Sequence, residues 1–153
     1  MSKKVPGRAS PRLEEQLCFA VYRAGQAFTR MYRSVLAETG LTYPQYLVML
    51  VLWEGDGLTV KALGERLSLD SGTLTPLLKR LEAAGLIRRE RSRSDERQVL
   101  LHLTEAGERL REKGACVPGA MGRAIGAALP PDGRLLADLA ALREALLAAS
   151  DPD

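Results

Sequence analysis

Apolar side chains recur along the first third of the chain with the spacing of an amphipathic helix. Between Arg12 and Thr39 they alternate spacings of four and three residues, at Leu17, Val21, Ala24, Phe28, Met31 and Val35. This pattern is typical of a helix that packs against another helix. A second, strongly apolar helix is predicted from Thr42 to Trp53, because Thr42 followed three residues later by Gln45 forms a capping box.

The next segment predicts two short helices joined by a brief turn. The first spans Val60–Leu67, the turn covers residues 68–72, and the second helix ends near Ala84. Pro76 has no N–H to donate, so regular hydrogen bonding in the second helix is predicted to begin near Thr73. Two helices joined in this way form a helix-turn-helix, whose second member enters the major groove of DNA.

Two short apolar runs, Leu86–Glu90 and Val99–Leu103, predict a pair of β-strands. The polar turn at residues 92–96 lies between them, so the segment is predicted to form a β-hairpin. A hairpin directly after a helix-turn-helix is the wing of a winged helix. The fold class is therefore predicted to be mainly α with a small β-wing.

The predicted elements divide the chain into regions within one compact domain. They are a flexible basic arm (residues 1–11), helical dimerisation regions (residues 12–40 and 104–150) and a winged helix-turn-helix DNA-binding region (residues 41–103). The second dimerisation region contains a long helix that begins after Thr104 and is interrupted at Pro118-Gly119. A last helix is predicted over Leu135–Ala149.

Composition and charge narrow the class of protein. The chain has 153 residues, 46% of them apolar and 27% charged, as in ordinary globular proteins. No apolar run approaches the roughly 20 residues of a membrane span, and no apolar stretch of a secretion signal follows the basic N-terminus. We therefore expect a cytoplasmic protein without membrane contact, whose two cysteines are free thiols or redox-active groups rather than a structural disulfide. Residues 79–97 carry seven basic and four acidic side chains, which favours nucleic acid as a partner.

Hydroxyl and basic side chains mark the second helix of the helix-turn-helix as the candidate recognition helix for double-stranded DNA. Ser71, Thr73 and Thr75 lie at its N-terminal end, which meets the bases in this motif. Lys79 and Arg80, further along, suit phosphate contacts. The alternative is a capped surface helix with ordinary hydroxyls. The local order of helix, turn, helix and hairpin favours DNA binding.

Three arginines surround the turn of the predicted wing. They are Arg91, Arg93 and Arg97, and the turn also holds Asp95 and Glu96. An arginine at the tip of a hairpin can enter the narrow, electronegative minor groove, and Arg97 is the candidate. Asp95, two residues away, is expected to hold the Arg97 guanidinium by a bidentate pair. The alternative is a solvated turn with compensating charges.

Cys18 lies beside the apolar positions of the first helix, where a cysteine is by default a small core hydrophobe. Tyr32 follows fourteen residues later on the same helix face, about 21 Å away at 1.5 Å per residue. If two such helices cross antiparallel at Gly25 in a homodimer, Cys18 of one subunit approaches Tyr32 of the partner subunit. Hydroxyl donors would then stabilise a reactive thiolate.

Four stretches of the sequence resemble the organic hydroperoxide resistance regulators of the MarR family. They are Leu17–Ala20, Gly40–Glu54, Leu69–Pro76 and Asp95–Arg97. The similarity covers about residues 13–112, and its motifs are long and specific. The resemblance implies a dimeric repressor, bound to a pseudo-palindromic operator, whose reactive cysteine corresponds to Cys18.

The resemblance also implies how that cysteine is held and oxidised. Family members hold the thiolate with tyrosines of the partner subunit, which correspond to Tyr32 and Tyr43, and Tyr22 is expected to line the same pocket. An organic hydroperoxide would oxidise Cys18 to a sulfenic acid, which then condenses with another thiol. That thiol is either Cys116 or a low-molecular-weight cellular thiol, and the sequence leaves both open.

Two other functions remain open at the level of sequence. A MarR-type repressor could instead be released by a small phenolic or lipophilic ligand bound between its helices. A thiol peroxidase that uses Cys18 is less well supported, because the sole histidine, His102, lies on a predicted wing strand. The sequence contains no metal-ligand cluster, phosphate loop or nucleophile–base pair, so no metal, cofactor or enzymatic activity is predicted.

Overall fold

The computed structural model describes residues 12–128 and 132–150, so the predicted arm at residues 1–11 lies outside it. The helices are α1 (Leu17–Val35), α2 (Tyr43–Glu54), α3 (Val60–Leu67), α4 (Ser71–Ala83), α5 (Glu105–Ala115), α6 (Val117–Ile125) and α7 (Arg134–Ser150). The strands are β1 (Leu58–Thr59), β2 (Ile87–Arg91) and β3 (Val99–Leu103). This element order confirms the predicted mainly helical fold with a small β-wing.

The first helix is shorter than its apolar periodicity predicts. α1 spans only Leu17–Val35, because Gln16 has an extended backbone (φ −85°, ψ 120°) and short 3-10 turns flank the helix on both sides. The start of α2 agrees with its predicted cap. The backbone N–H of Thr42 donates to Oε1 of Gln45 at 2.9 Å, which satisfies a donor that the helix itself leaves free.

The recognition helix begins two residues earlier than predicted. α4 starts at Ser71 rather than near Thr73, because Asp70 caps it: the Asp70 Oδ1 atom accepts the backbone N–H of Thr73 at 2.8 Å. Pro76 lies inside the helix and removes one hydrogen bond, to the carbonyl of Gly72, without ending the helix. The missing N–H of one proline was therefore a poor guide to where the helix starts.

The wing belongs to a three-stranded antiparallel sheet with the strand order β1-β3-β2. β2 and β3 pair from Ile87 opposite Leu103 to Arg91 opposite Val99, so the predicted hairpin is confirmed with β2 displaced by one residue. β1 was not predicted, because two residues carry no alternating pattern. It pairs Leu58 with Leu101 and anchors the sheet to the start of α3.

The core lies between the helix-turn-helix, α2 and the sheet, and α5 closes it from one side. Its fully buried members include Val48, Met49, Leu52, Leu63, Leu74, Leu78, Leu81, Ile87 and Leu101. α5 approaches closely because it presents glycines to Trp53 of α2. The Trp53 Nε1–H donates to the carbonyl of Gly107 at 2.9 Å, and the ring lies against Gly114.

The helix after the wing is divided at a different residue from the one predicted. α5 ends at Ala115 and α6 begins at Val117, so the break lies at Cys116 rather than at Pro118-Gly119. Pro118 lies in the first turn of α6, where a missing N–H costs no intrahelical hydrogen bond. Proline here starts a helix, and the break falls two residues earlier.

Two helices leave apolar side chains without a partner in the single chain. In α1, the exposed apolar residues are Leu17, Val21, Tyr22 and Phe28, while Met31 and Val35 pack against the core. In α7, they are Leu135, Leu136, Leu139, Leu146 and Leu147. Among the helices of the described residues, none is long and apolar enough to cross a membrane.

Candidate DNA-binding surface and thiol site

The start of α4 presents three hydroxyl side chains to solvent. The Thr73 hydroxyl donates to Oδ2 of Asp70 at 3.1 Å, and the Thr75 hydroxyl donates to the backbone carbonyl of Ser71 at 2.7 Å. Both threonine hydroxyls therefore donate their hydrogen bonds to the helix and its cap, and their oxygen lone pairs remain available as acceptors toward solvent. An outward-facing acceptor suits base-edge amino groups better than phosphate oxygens.

Asp70 adds a negative charge at the tip of the same helix. Its carboxylate accepts the backbone N–H and the hydroxyl of Thr73, and these bonds lower the pKa of Asp70 below its ordinary value. The carboxylate is consequently ionised at neutral pH. A negative charge at this position repels phosphates and accepts hydrogen bonds from base amino groups.

The basic candidates on the helix and wing are exposed. Lys79 and Arg80 lie on the solvent side of α4, Arg91 ends β2, and Arg93 and Arg97 lie in the wing turn. None of these five side chains is buried in the fold. All five are therefore accessible to a nucleic-acid partner.

The wing turn is ordered by a serine that the sequence did not single out. Ser92 is 6% exposed, and its Oγ accepts the backbone N–H groups of Ser94 and Asp95 at 3.3 and 3.4 Å. Asp95 does not form the predicted bidentate pair with the guanidinium of Arg97. Its carboxylate instead accepts the backbone N–H of Arg97 at 3.1 Å and the side-chain amide of Gln98 at 3.1 Å.

Asp95 acts on the backbone of the wing turn. An acceptor two residues before an N–H forms an Asx turn, so Asp95 shapes the backbone of the tip rather than holding the arginine head. The Arg97 side chain is left exposed. The wing therefore presents a cation on a backbone that is already ordered.

A groove separates α4 from the wing and brings the two predicted DNA contacts together. Thr75 on α4 and Arg97 on the wing lie on its walls. The other lining residues are Thr59, Val60, Lys61, Leu78, Arg89, Gln98 and Val99. The candidate major-groove and minor-groove contacts thus face one shared depression.

The structure separates the predicted thiol site into two halves. Cys18 lies exposed in the first turn of α1, and Tyr22, one turn further on, is 61% exposed and accepts the amide of Gln26 at 2.8 Å. Tyr32, near the other end of α1, stacks on Tyr43 of α2 with ring centroids 4.0 Å apart. Cys18 and Tyr32 are about 21 Å apart along α1, at 1.5 Å per residue.

Tyr32 packs between Tyr43 and the core. Tyr32 lies 6.3 Å from the buried ring of Tyr46, whose hydroxyl donates to the carbonyl of Gly114 at 3.2 Å. Burial, followed by the neighbouring Tyr43, raises the pKa of Tyr32 above its ordinary value. Tyr32 therefore keeps its proton across the physiological pH range.

Cys116 is exposed at the junction of α5 and α6. Its groove is also lined by Val35 and Glu38, at the end of α1 that carries Tyr32. The thiol donates to the carbonyl of Glu112 at 3.7 Å. Cys116 thus lies at the opposite end of α1 from Cys18, and the two cannot meet within one chain.

These features define the class of protein. A helix-turn-helix with hydroxyls at the tip of its second helix, followed by a wing with exposed arginines, is a winged-helix DNA-binding regulator. The family model described as "Transcriptional regulator SarA/Rot" matches residues 30–113. The chain belongs to this family of MarR-type winged-helix transcriptional regulators.

Two relatives of known name match most of the chain. It is 57% identical over 141 residues to the HTH-type transcriptional regulator TtmR of Methylorubrum extorquens (strain PA1), covering 92% of this chain and 72% of TtmR. It is 55% identical over 108 residues to the organic hydroperoxide resistance transcriptional regulator of Bacillus subtilis (strain 168), covering 71% and 74% respectively. Both relatives are regulators rather than enzymes, and the resemblance identified from the motifs is confirmed.

A solved regulator, AbfR of Staphylococcus epidermidis, is similar in two chemical states. Its reduced form bound to DNA has a TM-score of 0.76 at 36% identity, covering 92% of this chain and 96% of AbfR. Its disulfide form has a TM-score of 0.64 at 39% identity, covering 89% and 93%. Within the described residues of our chain, no group of three or more His, Cys, Asp or Glu could hold a metal ion.

Proposed function

We propose that this protein is a dimeric transcriptional repressor that senses organic hydroperoxides through Cys18 and releases its operator when Cys18 is oxidised. One observation carries the proposal: an exposed thiol begins α1, and a stacked pair of tyrosines lies near its other end. Two copies of α1 crossing antiparallel bring each thiol to the partner's tyrosines.

The surface of α1 supports such a crossing. Its midpoint, Gly25, has nothing within 4 Å of where a side chain would begin, so a second helix can approach closely. The apolar side chains of α1 and α7 that lack a partner supply the rest of the interface. The dimerisation regions are thus residues 12–40 and 104–150, and residues 41–103 carry the DNA-binding surface.

The sensing chemistry needs a hydroperoxide and two thiols. The Cys18 thiolate attacks one oxygen of the peroxide bond, which gives a sulfenic acid on Cys18 and an alkoxide that takes a proton to become the alcohol. A second thiol then attacks the sulfenic sulfur, forming a disulfide and releasing water. Tyr32 and Tyr43 of the partner subunit hold the thiolate before the attack, and Tyr22 lines the same pocket.

Apolar neighbours of the thiol favour organic hydroperoxides over hydrogen peroxide. Phe19 is half-buried beside Cys18, and Phe28 is 42% exposed on the face that crosses the partner helix. Trapping the sulfenic acid with dimedone, followed by mass spectrometry, measures the rate of Cys18 oxidation by each oxidant. Faster oxidation by cumene hydroperoxide supports the proposal, and equal rates contradict the preference.

The position of Cys116 supports an intersubunit disulfide as the second step. In the antiparallel crossing, the end of α1 beside Cys116 lies over the partner's Cys18. The oxidised protein should then run as a dimer on a non-reducing gel, and Cys116→Ser should run as a monomer. If wild-type protein runs as a monomer and gains the mass of a small thiol, a low-molecular-weight thiol resolves the sulfenic acid instead.

The DNA contacts follow from the groove between α4 and the wing. Ser71, Thr73 and Thr75 meet base edges in the major groove, and Arg97 enters the adjacent minor groove. Lys79, Arg80, Arg91 and Arg93 contact phosphates, and Asp95 shapes the wing tip. A two-fold dimer requires a pseudo-palindromic operator with half-sites about one helical turn apart. A protein that binds the operator in this way acts in the cytoplasm, where the bacterial relatives keep their DNA.

A further inference from the structure

An ion pair joins the recognition helix to the wing. Glu82 lies in the last turn of α4, and Arg89 lies in the middle of β2. The Arg89 Nε donates to Oε2 of Glu82 at 2.7 Å, and its Nη2 lies 2.5 Å from the same oxygen. The backbone N–H of Arg89 donates to Oε1 of Glu82 at 3.2 Å. Both oxygens of one carboxylate therefore hold the strand against the helix.

The pair lies on the faces that carry the candidate DNA contacts. Glu82 is seven residues after Thr75 on α4, so both side chains lie on one helix face. Successive residues of a strand point to opposite sides, so Arg89 shares the side of buried Ile87, which faces the helix. Arg89 also lines the groove between Thr75 and Arg97.

The Glu82–Arg89 ion pair contributes more to the orientation of β2 relative to α4 than to the stability of the fold. Each side chain is 34% exposed, and partly exposed ion pairs add little to the free energy of folding. The hydrogen bond from Arg89 lowers the pKa of Glu82, so its carboxylate is ionised at neutral pH. Glu82 binds both the side chain and the backbone N–H of Arg89. This two-point attachment fixes the position of β2 along α4.

We propose that Glu82 is a positioning residue that, through Arg89, sets the separation between the base-reading end of α4 and the minor-groove arginine of the wing. This role rests on the Arg97 contact of the proposed function. Without the pair, β2 and β3 remain paired and Ile87 stays in the core, but the outer half of the hairpin loses this attachment to α4. Arg97 then reaches the minor groove out of register with Thr75 in the major groove.

The chain supplies a matched control for this pair. Glu90 and Arg88 form an ion pair of 2.6 Å on the opposite side of β2, and both belong to the same strand. Glu82→Gln and Glu90→Gln each remove one negative charge from the same region. Only Glu82→Gln loosens a bond between two elements, so a difference between them reports positioning rather than charge.

The experiment measures binding of the reduced full chain to a duplex selected from random DNA by the wild-type protein. A shortened duplex lacks the outer base pairs that the wings reach. Glu82→Gln should lower affinity for the full duplex about tenfold, a coupling typical of residues in contact, but change the shortened duplex less than about twofold. Glu90→Gln should not lower either affinity. Combining Glu82→Gln with Arg97→Ala should cost no more than Arg97→Ala alone.

Several outcomes overturn the proposal. If Glu82→Gln binds as tightly as Glu90→Gln while Arg97→Ala loses affinity, the wing contact stands and the positioning role fails. If the losses from Glu82→Gln and Arg97→Ala add, Glu82 acts independently of the wing. If Arg97→Ala loses nothing, the wing contact and the positioning role fail together. Arg89→Gln loosens the same bond and should likewise weaken binding of the full duplex more than binding of the shortened one. It replaces Glu82→Gln if the circular dichroism of Glu82→Gln shows unfolding.

Discussion

Single glycines decide how closely α5 approaches the rest of the molecule. At Gly114, a Cβ atom would lie 2.5 Å from Cη2 of Trp53, and at Gly107 it would meet the carbonyl of Leu86. Trp53 cannot move aside, because it is 6% exposed and its Nε1–H is bonded to Gly107. Absence of a side chain at these two positions is therefore a packing requirement rather than a need for backbone freedom.

Gly114→Ala is expected to lower the free energy of unfolding by about 2 kcal/mol, the cost of overpacking a dense core. Gly122→Ala is the matched control, since nothing lies within 4 Å of its added Cβ on α6. That variant should leave stability unchanged or raise it by up to about 1 kcal/mol, because alanine favours the helix over glycine. Urea unfolding at one chain concentration measures both. Equal stability of the two variants would mean that α5 does not need the glycine.

Asp70 should make stability depend on pH in a predictable direction. Its pKa is lowered in the folded protein, mainly by the N–H of Thr73, so the carboxylate stabilises the fold above its unfolded pKa. That contribution is lost as pH falls through the lower, folded pKa. Asp70→Asn keeps a capping oxygen without the charge. The melting temperature of wild type minus that of Asp70→Asn should be constant above about pH 5 and fall below about pH 4. A difference that does not change with pH contradicts this account.

At the scale of elements, the sequence patterns predicted which helices and strands exist better than they predicted where each one begins and ends. The short apolar run of β3 predicted its bounds, Val99–Leu103, because the polar wing turn precedes it and the helix cap Thr104 follows it. The predicted start of α4 was wrong, because Asp70 favours an early start and Pro76 a later one. The sequence alone does not show which of the two effects is stronger. The geometry of the wing turn was also beyond prediction, since whether the Asp95 carboxylate meets a side chain or a backbone N–H depends on the conformation of the loop.

The exposed Arg97 and the paired Arg88 allow a test of the wing as a DNA-contacting element. Arg97→Ala should lower operator affinity about tenfold and reduce its dependence on salt, since a cation in the minor groove is lost. Arg88→Ala removes the same charge from the other side of the sheet, where Glu90 already neutralises it. Fluorescence anisotropy over a range of salt concentrations compares them. Equal losses of operator affinity for the two variants would mean that the wing contributes only its overall positive charge and no specific contact by Arg97.

At the scale of the whole molecule, the proposed thiol site requires two copies of the chain. The sequence placed Cys18 and Tyr32 on one helix face, and the family resemblance added Tyr43. The structure brings Tyr32 and Tyr43 together and leaves Cys18 at the far end of α1. No pattern within α1 or α2 could show that the rings stack, because their contact joins helices whose packing depends on the core residue Tyr46.

A charge on the open face of α1 tests the assembly. Val21 is 43% exposed in the single chain and lies on the face proposed to cross the partner helix. Val21→Glu should raise the dissociation constant of the dimer at least about tenfold, because a carboxylate would be buried without a partner. Ala84→Glu, an exposed residue at the end of α4, should leave it unchanged. Sedimentation at several concentrations measures both, and an unaffected Val21→Glu dimer would place the interface elsewhere.

The most direct test of the sensing account is operator binding before and after exposure to an organic hydroperoxide. Reduced wild type and Cys18→Ser should bind the same duplex with similar affinity. After cumene hydroperoxide, wild type should release the duplex in proportion to the fraction of Cys18 oxidised, and reduction by a thiol should restore binding. Cys18→Ser should remain bound. Release of Cys18→Ser by the hydroperoxide, or continued binding by fully oxidised wild type, would contradict the central claim.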